Sequence, residues 1–162
     1  MVLSALFSSL IAICAWISVP IADIAFTMQT FAVFLTLGVL GGKWGTVSIL
    51  CYLLLGAVGL PVFSGFQGGF SMLLGVSGGF LWGFLLSGLS YWALERLGRP
   101  PAMAISMAIC YACGCLWFSI WAGGVGLGVA FLKSVVPYLL PDAFKIAMAA
   151  SLSSRIGKHL KY

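Results

Sequence analysis

The sequence predicts an all-α integral membrane protein, a bundle of six transmembrane helices with cytoplasmic N- and C-termini, built as one domain over residues 1–162. Three observations predict it. Hydrophobic residues make up 62% of the chain and charged ones only 7%, whereas an ordinary soluble domain carries about 25% charged residues. The apolar residues fall into six runs separated by helix breakers. The Lys and Arg residues lie mostly on one of the two sides that those runs define. Such a chain belongs in the cell membrane, in contact with lipid.

The runs follow in order. Leu3–Val19 has the hydrophobicity of a signal peptide but no charged residue before it, and Ile17-Ser18-Val19-Pro20 is a poor cleavage site. It is expected to remain as the first helix. Gln29–Leu40 is short for a span, so it is expected to be extended by Thr27 and Met28 or to sit where the bilayer is thin. Gly41-Gly42 separates it from Gly45–Val62, whose end is marked by Gly59-Leu-Pro61. Ser71–Leu94 is the fourth run, and Pro100-Pro101 precedes the fifth, Ala102–Ala122. Residues 123–140 hold glycines, Lys133 and Pro137, and read as a loop, a half-helix or both. Leu139–Ile156 is the sixth run, with Pro141 suited to its first turn.

Positive charge tests this layout. With the N-terminus inside, Lys43, Arg96, Arg99, Arg155, Lys158 and Lys161 face the cytoplasm and only Lys133 faces out. Cytoplasmic loops carry such an excess, and an odd number of spans would scatter it. The same dispersal along the chain argues against nucleic-acid binding.

The acids are Asp23, Glu95 and Asp142, and the last lies inside the sixth run with Lys145. Ionisable groups within a span usually face a cavity, a partner or a substrate. At i and i+3 the two side chains share a helix face, about 5–9 Å below Leu139. Asp142 beside Pro141 is also expected to meet the positive end of the helix dipole. The plain alternative is a structural ion pair with the lysine reaching outward. An i,i+3 pair contributes about 0.2–0.5 kcal/mol, less than a burial cost of several kcal/mol per ion. The expectation is therefore a ligand that completes the bonding of both groups.

The other motifs are weaker. Phe63 to Phe70 interleaves Phe63, Phe66 and Phe70 with glycines, a composition fit for a lid or for a loop among lipid headgroups. Gly75-Val-Ser77-Gly-Gly79 matches the G-x-S-x-G nucleophile elbow. A base is lacking, since His159 lies in the tail and Asp142 would keep Lys145 charged. Cys110-Tyr-Ala-Cys113-Gly-Cys115 sits mid-run without His or acid nearby, so packing explains it better than metal or redox chemistry. Ala5/Ser9 and Ser8/Ala12 place small residues at four-residue spacing on the first helix, either for packing within the bundle or for docking a partner. No phosphate-cradling G-x-x-x-x-G-K-[ST] occurs. No catalytic residue, metal or cofactor is expected.

Several of these segments together resemble one family. Phe26-Thr27-Met-Gln29-Thr-Phe31, Gly38-Val-Leu-Gly41, Tyr52-Leu-Leu-Leu-Gly56-Ala-Val-Gly59-Leu-Pro61-Val-Phe63, Gly75-Val-Ser77-Gly-Gly79-Phe80 and Pro141-Asp142-Ala-Phe-Lys145 closely resemble the BioY family, in that order. These are the substrate-binding S components of energy-coupling factor transporters for biotin. The resemblance implies a biotin site near the outer face, and partnership with a transmembrane coupling protein and two cytoplasmic ATPases. It makes Asp142 and Lys145 the first candidates for polar contacts to biotin, then Ser64 and Ser77, then Gln29 and Tyr111, with Phe63, Phe66 and Phe70 covering the ligand. Val76 and Pro20-Ile-Ala-Asp23-Ile-Ala-Phe26 depart from the family's more proline-rich pattern. The rival expectations are an S component for riboflavin or thiamine, and an intramembrane enzyme using Ser77 or Cys113.

Overall fold

The computed structural model describes residues 2–20 and 24–159; Asp23 and Lys161 lie outside the described residues. Each of the six apolar runs corresponds to a helical body. The first is α1 (Val2–Trp16), followed by a small antiparallel hairpin of β1 (Ser18–Pro20) and β2 (Ala25–Thr27) with Val19 opposite Phe26. Then comes one long helical run, α2 (Gln29–Ala57). It is not straight. Gln29 Nε2 donates to the Tyr52 hydroxyl at 3.0 Å, although 23 residues of straight helix would separate them by about 35 Å.

The fold-back occurs at Gly41, whose φ of 76° and ψ of 173° are not helical. A side chain is strained in that region of backbone space. Residues 29–40 and 42–57 are thus two antiparallel arms, which matches the division of this segment into two runs. Gly42 beside the turn packs on α4 (Gly78–Leu94): a Cβ there would lie 2.3 Å from the Trp92 Cα. Glu95 closes the same corner, its Oε2 accepting from the Gly42 N–H at 2.9 Å.

The fourth run is broken. Its first part is α3 (Phe70–Leu74), and α4 begins only after Gly75, Val76 and Ser77. Gly75 is extended, so the helix stops there. Indole donors reach the carbonyls at the break: Trp82 Nε1 donates to Leu73 O at 3.2 Å, and Trp117 Nε1 donates at 2.9 Å to Gly75 O, which also accepts from the Gly78 N–H at 3.0 Å. Backbone left without helical partners inside a membrane must be satisfied in this way by protein.

Helix α5 (Arg99–Trp121) begins earlier than Ala102, taking the Pro100-Pro101 pair into its first turn. Positive-φ glycines Gly123 and Gly124 follow it, then the short α6 (Leu127–Ser134). The chain bends by 49° into the next helix, α7 (Val136–His159). The expectation that Pro141 opens the last helix is overturned, because α7 starts five residues before it. Asp142 therefore sits in the second turn, where the dipole effect has faded.

Two ends of the bundle are distinguishable. Val2, Gly41, Glu95 and Arg99 border one recess, and Arg99 also lies beside Gly157. The exposed Lys43, Arg96, Arg99 and Arg155 cluster around this basic end. The start of α1 and the last turns of α7 are both there, as an even number of antiparallel passes requires. Thr27, Ser64, Ser77 and Asp142 meet at the other end.

Gly42→Ala forces α2 from the Trp92 backbone. Overpacking of this kind costs about 1–3 kcal/mol, so the detergent-solubilised variant should melt roughly 2–12 °C below wild type; an unchanged melting temperature would show that the arms do not pack as described.

Candidate functional site

At the end away from the basic residues lies a chamber of about 220 Å³. This falls below the roughly 300–1,000 Å³ of pockets for drug-sized ligands, so it suits a small molecule. Seven parts of the chain wall it. The β-hairpin contributes Ile24, Phe26 and Thr27; the start of α2 adds Gln29 and Thr30; the loop after α2 adds Phe63, Ser64 and Gln67. Met72 of α3, Val76 and Ser77 of the break, and Phe80, Leu81 and Phe84 of α4 form an apolar side. Tyr138, Asp142 and Lys145 come from α7.

Asp142 and Lys145 are 5% and 4% exposed. They form an ion pair, Lys145 Nζ to Asp142 Oδ1 at 2.8 Å. Here the expectation that a ligand must complete the pair needs correction, because the protein supplies further partners. The Tyr111 hydroxyl donates to Asp142 Oδ2 at 2.9 Å, and Lys145 Nζ donates to the Thr27 carbonyl at 2.7 Å. The Phe26 ring lies against the ammonium, 3.6 Å from centroid to Nζ, an attraction worth about 0.5–2 kcal/mol. Charge-assisted hydrogen bonds are about twice as strong as neutral ones, and this set offsets the burial cost without a ligand. What remains open is acceptor capacity. A carboxylate has about four lone-pair sites, and two protein donors occupy two of them.

The other predicted residues divide. Ser64, Ser77, Gln29 and Phe63 line the chamber with the ion pair. Tyr111 is outside the lining and acts on it through Asp142. Phe66 and Phe70 do not line it; they are 63% and 58% exposed, and Phe66 stacks on Trp16. The expected cover of three phenylalanines is thus reduced to Phe63, which turns inward because Gly56 leaves room for its ring. On α1 the two small-residue pairs part ways. Ser8 and Ala12 are buried, and Ser8 Oγ donates to Ser48 O at 2.7 Å on the second arm of α2. Packing inside the bundle therefore accounts for that pair. Ala5 and Ser9 face outward.

Sequence reasoning passed over Thr27 as a partner because its contribution is a carbonyl, which no residue type signals. Tyr52 was equally silent. It receives Gln29 and itself donates to Val62 O at 3.2 Å, joining the α2 hairpin to the loop that carries Phe63 and Ser64. Tyr138, which holds Ile24 of the lip through its hydroxyl, lies five sixths of the way along the chain.

The chain is similar to known proteins. A model of the BioY family matches residues 1–162. The Biotin transporter BioY of Thermotoga maritima is 35% identical over 158 residues, 94% of this chain and 92% of the relative. The Probable biotin transporter BioY of Pyrococcus horikoshii is 37% identical over 158 residues, 95% and 93% of the two chains. The fold is that of the crystal structure of the S-component for biotin from an ECF-type ABC transporter. That match has a TM-score of 0.89 at 24% identity, covering 97% of this chain and 89% of the other.

Removing one ion from the pair strands the other. Lys145→Met should cost about 3–5 kcal/mol, whereas adding Asp142→Leu should restore most of the loss. Thermal melts of both ligand-free variants decide it: a single variant as stable as the double would mean the pair is not buried as described.

Proposed function

The chain belongs to the BioY family, and we propose that it is the membrane-embedded biotin-binding subunit of an uptake system, a transport protein with no reaction of its own. The observation that carries the reading is the buried Asp142–Lys145 pair facing a small, largely apolar chamber. Biotin combines an apolar bicycle and alkyl chain with two ureido N–H donors, and such donors suit the acceptor sites left on Asp142. Lys145 has its three N–H bonds directed at Asp142, Thr27 and the Phe26 face, so it serves to hold the carboxylate and the lip in place. Ser64, Ser77 and Gln67 are the hydrogen-bond donors assigned to the carboxylate end of the vitamin, with Gln29 fixing the wall through Tyr52.

In this reading the single domain crosses the plasma membrane six times, through α1, residues 29–40, residues 42–57, α3 with α4, α5, and α7. The basic end faces the cytoplasm, as the Lys/Arg excess favours. At 15 residues α1 is about 22 Å long, shorter than the roughly 30 Å hydrocarbon core, which local thinning accommodates. The chain carries no nucleotide-binding loop, so energy for release comes from partners: a transmembrane coupling protein and two cytoplasmic ATPases. The outward Ala5 and Ser9 of α1 offer the coupling protein a close approach.

Biotin titrated into the purified protein tests the assignment. Hydrogen bonds to charged groups contribute about 1.5–3 kcal/mol, so Asp142→Asn should bind roughly ten- to hundredfold more weakly. Unaltered affinity would refute the site. Thermal protection by riboflavin or thiamine, with none by excess biotin, would point to a different vitamin.

A further inference from the structure

The segment between α2 and α3 covers one side of the chamber, and four anchors hold it down. Its Phe63 ring fills the notch at Gly56, where a Cβ would come within 2.1 Å of it. Tyr52 donates to Val62 O at 3.2 Å, and the Gly69 N–H donates to Gly56 O at 2.7 Å. These three come from α2, to which the segment is directly joined. The fourth comes from elsewhere. Trp16, the last residue of α1, donates its indole N–H to Pro61 O at 2.8 Å and stacks on Phe66 with ring centroids 5.0 Å apart.

The backbone of this segment needs an external hold. Gly59, Gly65 and Gly69 all have positive φ, and Phe66 does too at 57°. A bulky residue in that region is strained and persists only where its surroundings impose it. The Trp16 ring, stacked on the Phe66 ring, is part of those surroundings. Between Pro61 and Phe66 lie Phe63 and Ser64, which line the chamber, while Trp16 itself does not.

We propose that Trp16 is a positioning residue for ligand retention: its grip on Pro61 and Phe66 holds Phe63 and Ser64 against the bound molecule and sets how fast that molecule leaves. Trp16 also lies on the exposed stripe of α1 that includes Ala5, Ser9 and Ile13. A movement of α1 that shifts this stripe pulls on the chamber cover through one indole. The geometry thereby connects the outward surface of the first helix to the residence time of the ligand, through a residue that never touches it.

The inference rests on the chamber being a biotin site, and the experiment separates the two. Biotin is loaded onto detergent-solubilised wild type, Trp16→Phe and Phe66→Leu, and its release is followed after dilution into excess unlabelled biotin. Trp16→Phe keeps an aromatic ring but loses the N–H, and a neutral hydrogen bond contributes about 0.5–1.5 kcal/mol. Release should then be about two- to tenfold faster, with association close to wild type and the ligand-free melting temperature lower by only about 1–6 °C. Phe66→Leu, which removes the stack from the other side, should accelerate release similarly. A wild type that retains no biotin defeats the transport reading. A wild type that retains it, with both variants releasing it at the wild-type rate, defeats the role of Trp16; so does faster release from variants that are already unfolded without ligand.

Discussion

One carboxylate organises the end of this molecule that lies away from the basic residues. Asp142 ties α7 to α5 through Tyr111, and holds an ammonium that in turn reaches the carbonyl of Thr27 in the hairpin and the face of Phe26. Three separate stretches of chain are thus joined by polar contacts within a few ångströms, in surroundings where an unpaired charge is prohibitive. Such an arrangement specifies geometry more than it adds stability. Leucines at both positions would pack, but nothing would then set where the hairpin lip lies relative to α7. The chamber exists because these polar partners meet at its edge and the apolar side chains of α4 stop short of filling it.

Irregular backbone gathers around the same place. The break between α3 and α4, the strained segment 59–69 and the hairpin all border the chamber, whereas α5 runs without interruption on its far side. In lipid such interruptions are tolerated where protein or a cavity satisfies the exposed peptide groups. Trp82, Trp117, Tyr52 and Trp16 contribute to this here, each donating to a backbone carbonyl of these irregular stretches. Aromatic donors combine a polar tip with an apolar body, which lets them reach into backbone gaps without bringing further polar groups inside.

How far the residues disclosed this depended on range. The six apolar runs were legible because Gly41-Gly42, Gly59-Leu-Pro61 and Pro100-Pro101 interrupt them, and a helix breaker acts within a turn of itself. The interruption at Gly75 has no such unambiguous local signal, because small residues spaced as in Gly75-Val-Ser77-Gly-Gly79 equally suit close packing of an unbroken helix; at the break Gly75 O takes a donor from Trp117, forty-two residues away. Pro141 illustrates the converse. Its local preference for a first helical turn was outweighed when Val136 and Pro137 had already begun the helix. Ser8 could have faced a partner by its spacing alone, and the carbonyl of Ser48 turned it inward.

By itself, then, the amino-acid order determined what nearest neighbours and composition control: membrane residence, the division into helical bodies, the gathering of basic residues at one end, and the presence of a costly ionic pair on one face of the last helix. Tertiary structure decided who meets that pair. Tyr111 and Thr27 are 31 and 118 residues from their partners, and one of the two contributes only its peptide oxygen. Local patterning carries no information about contacts of that kind, because they arise from the relative placement of whole helices. That placement comes from the packing of their small and large side chains together, so the chamber, its polar edge and the grip of Trp16 on its cover became visible only in three dimensions.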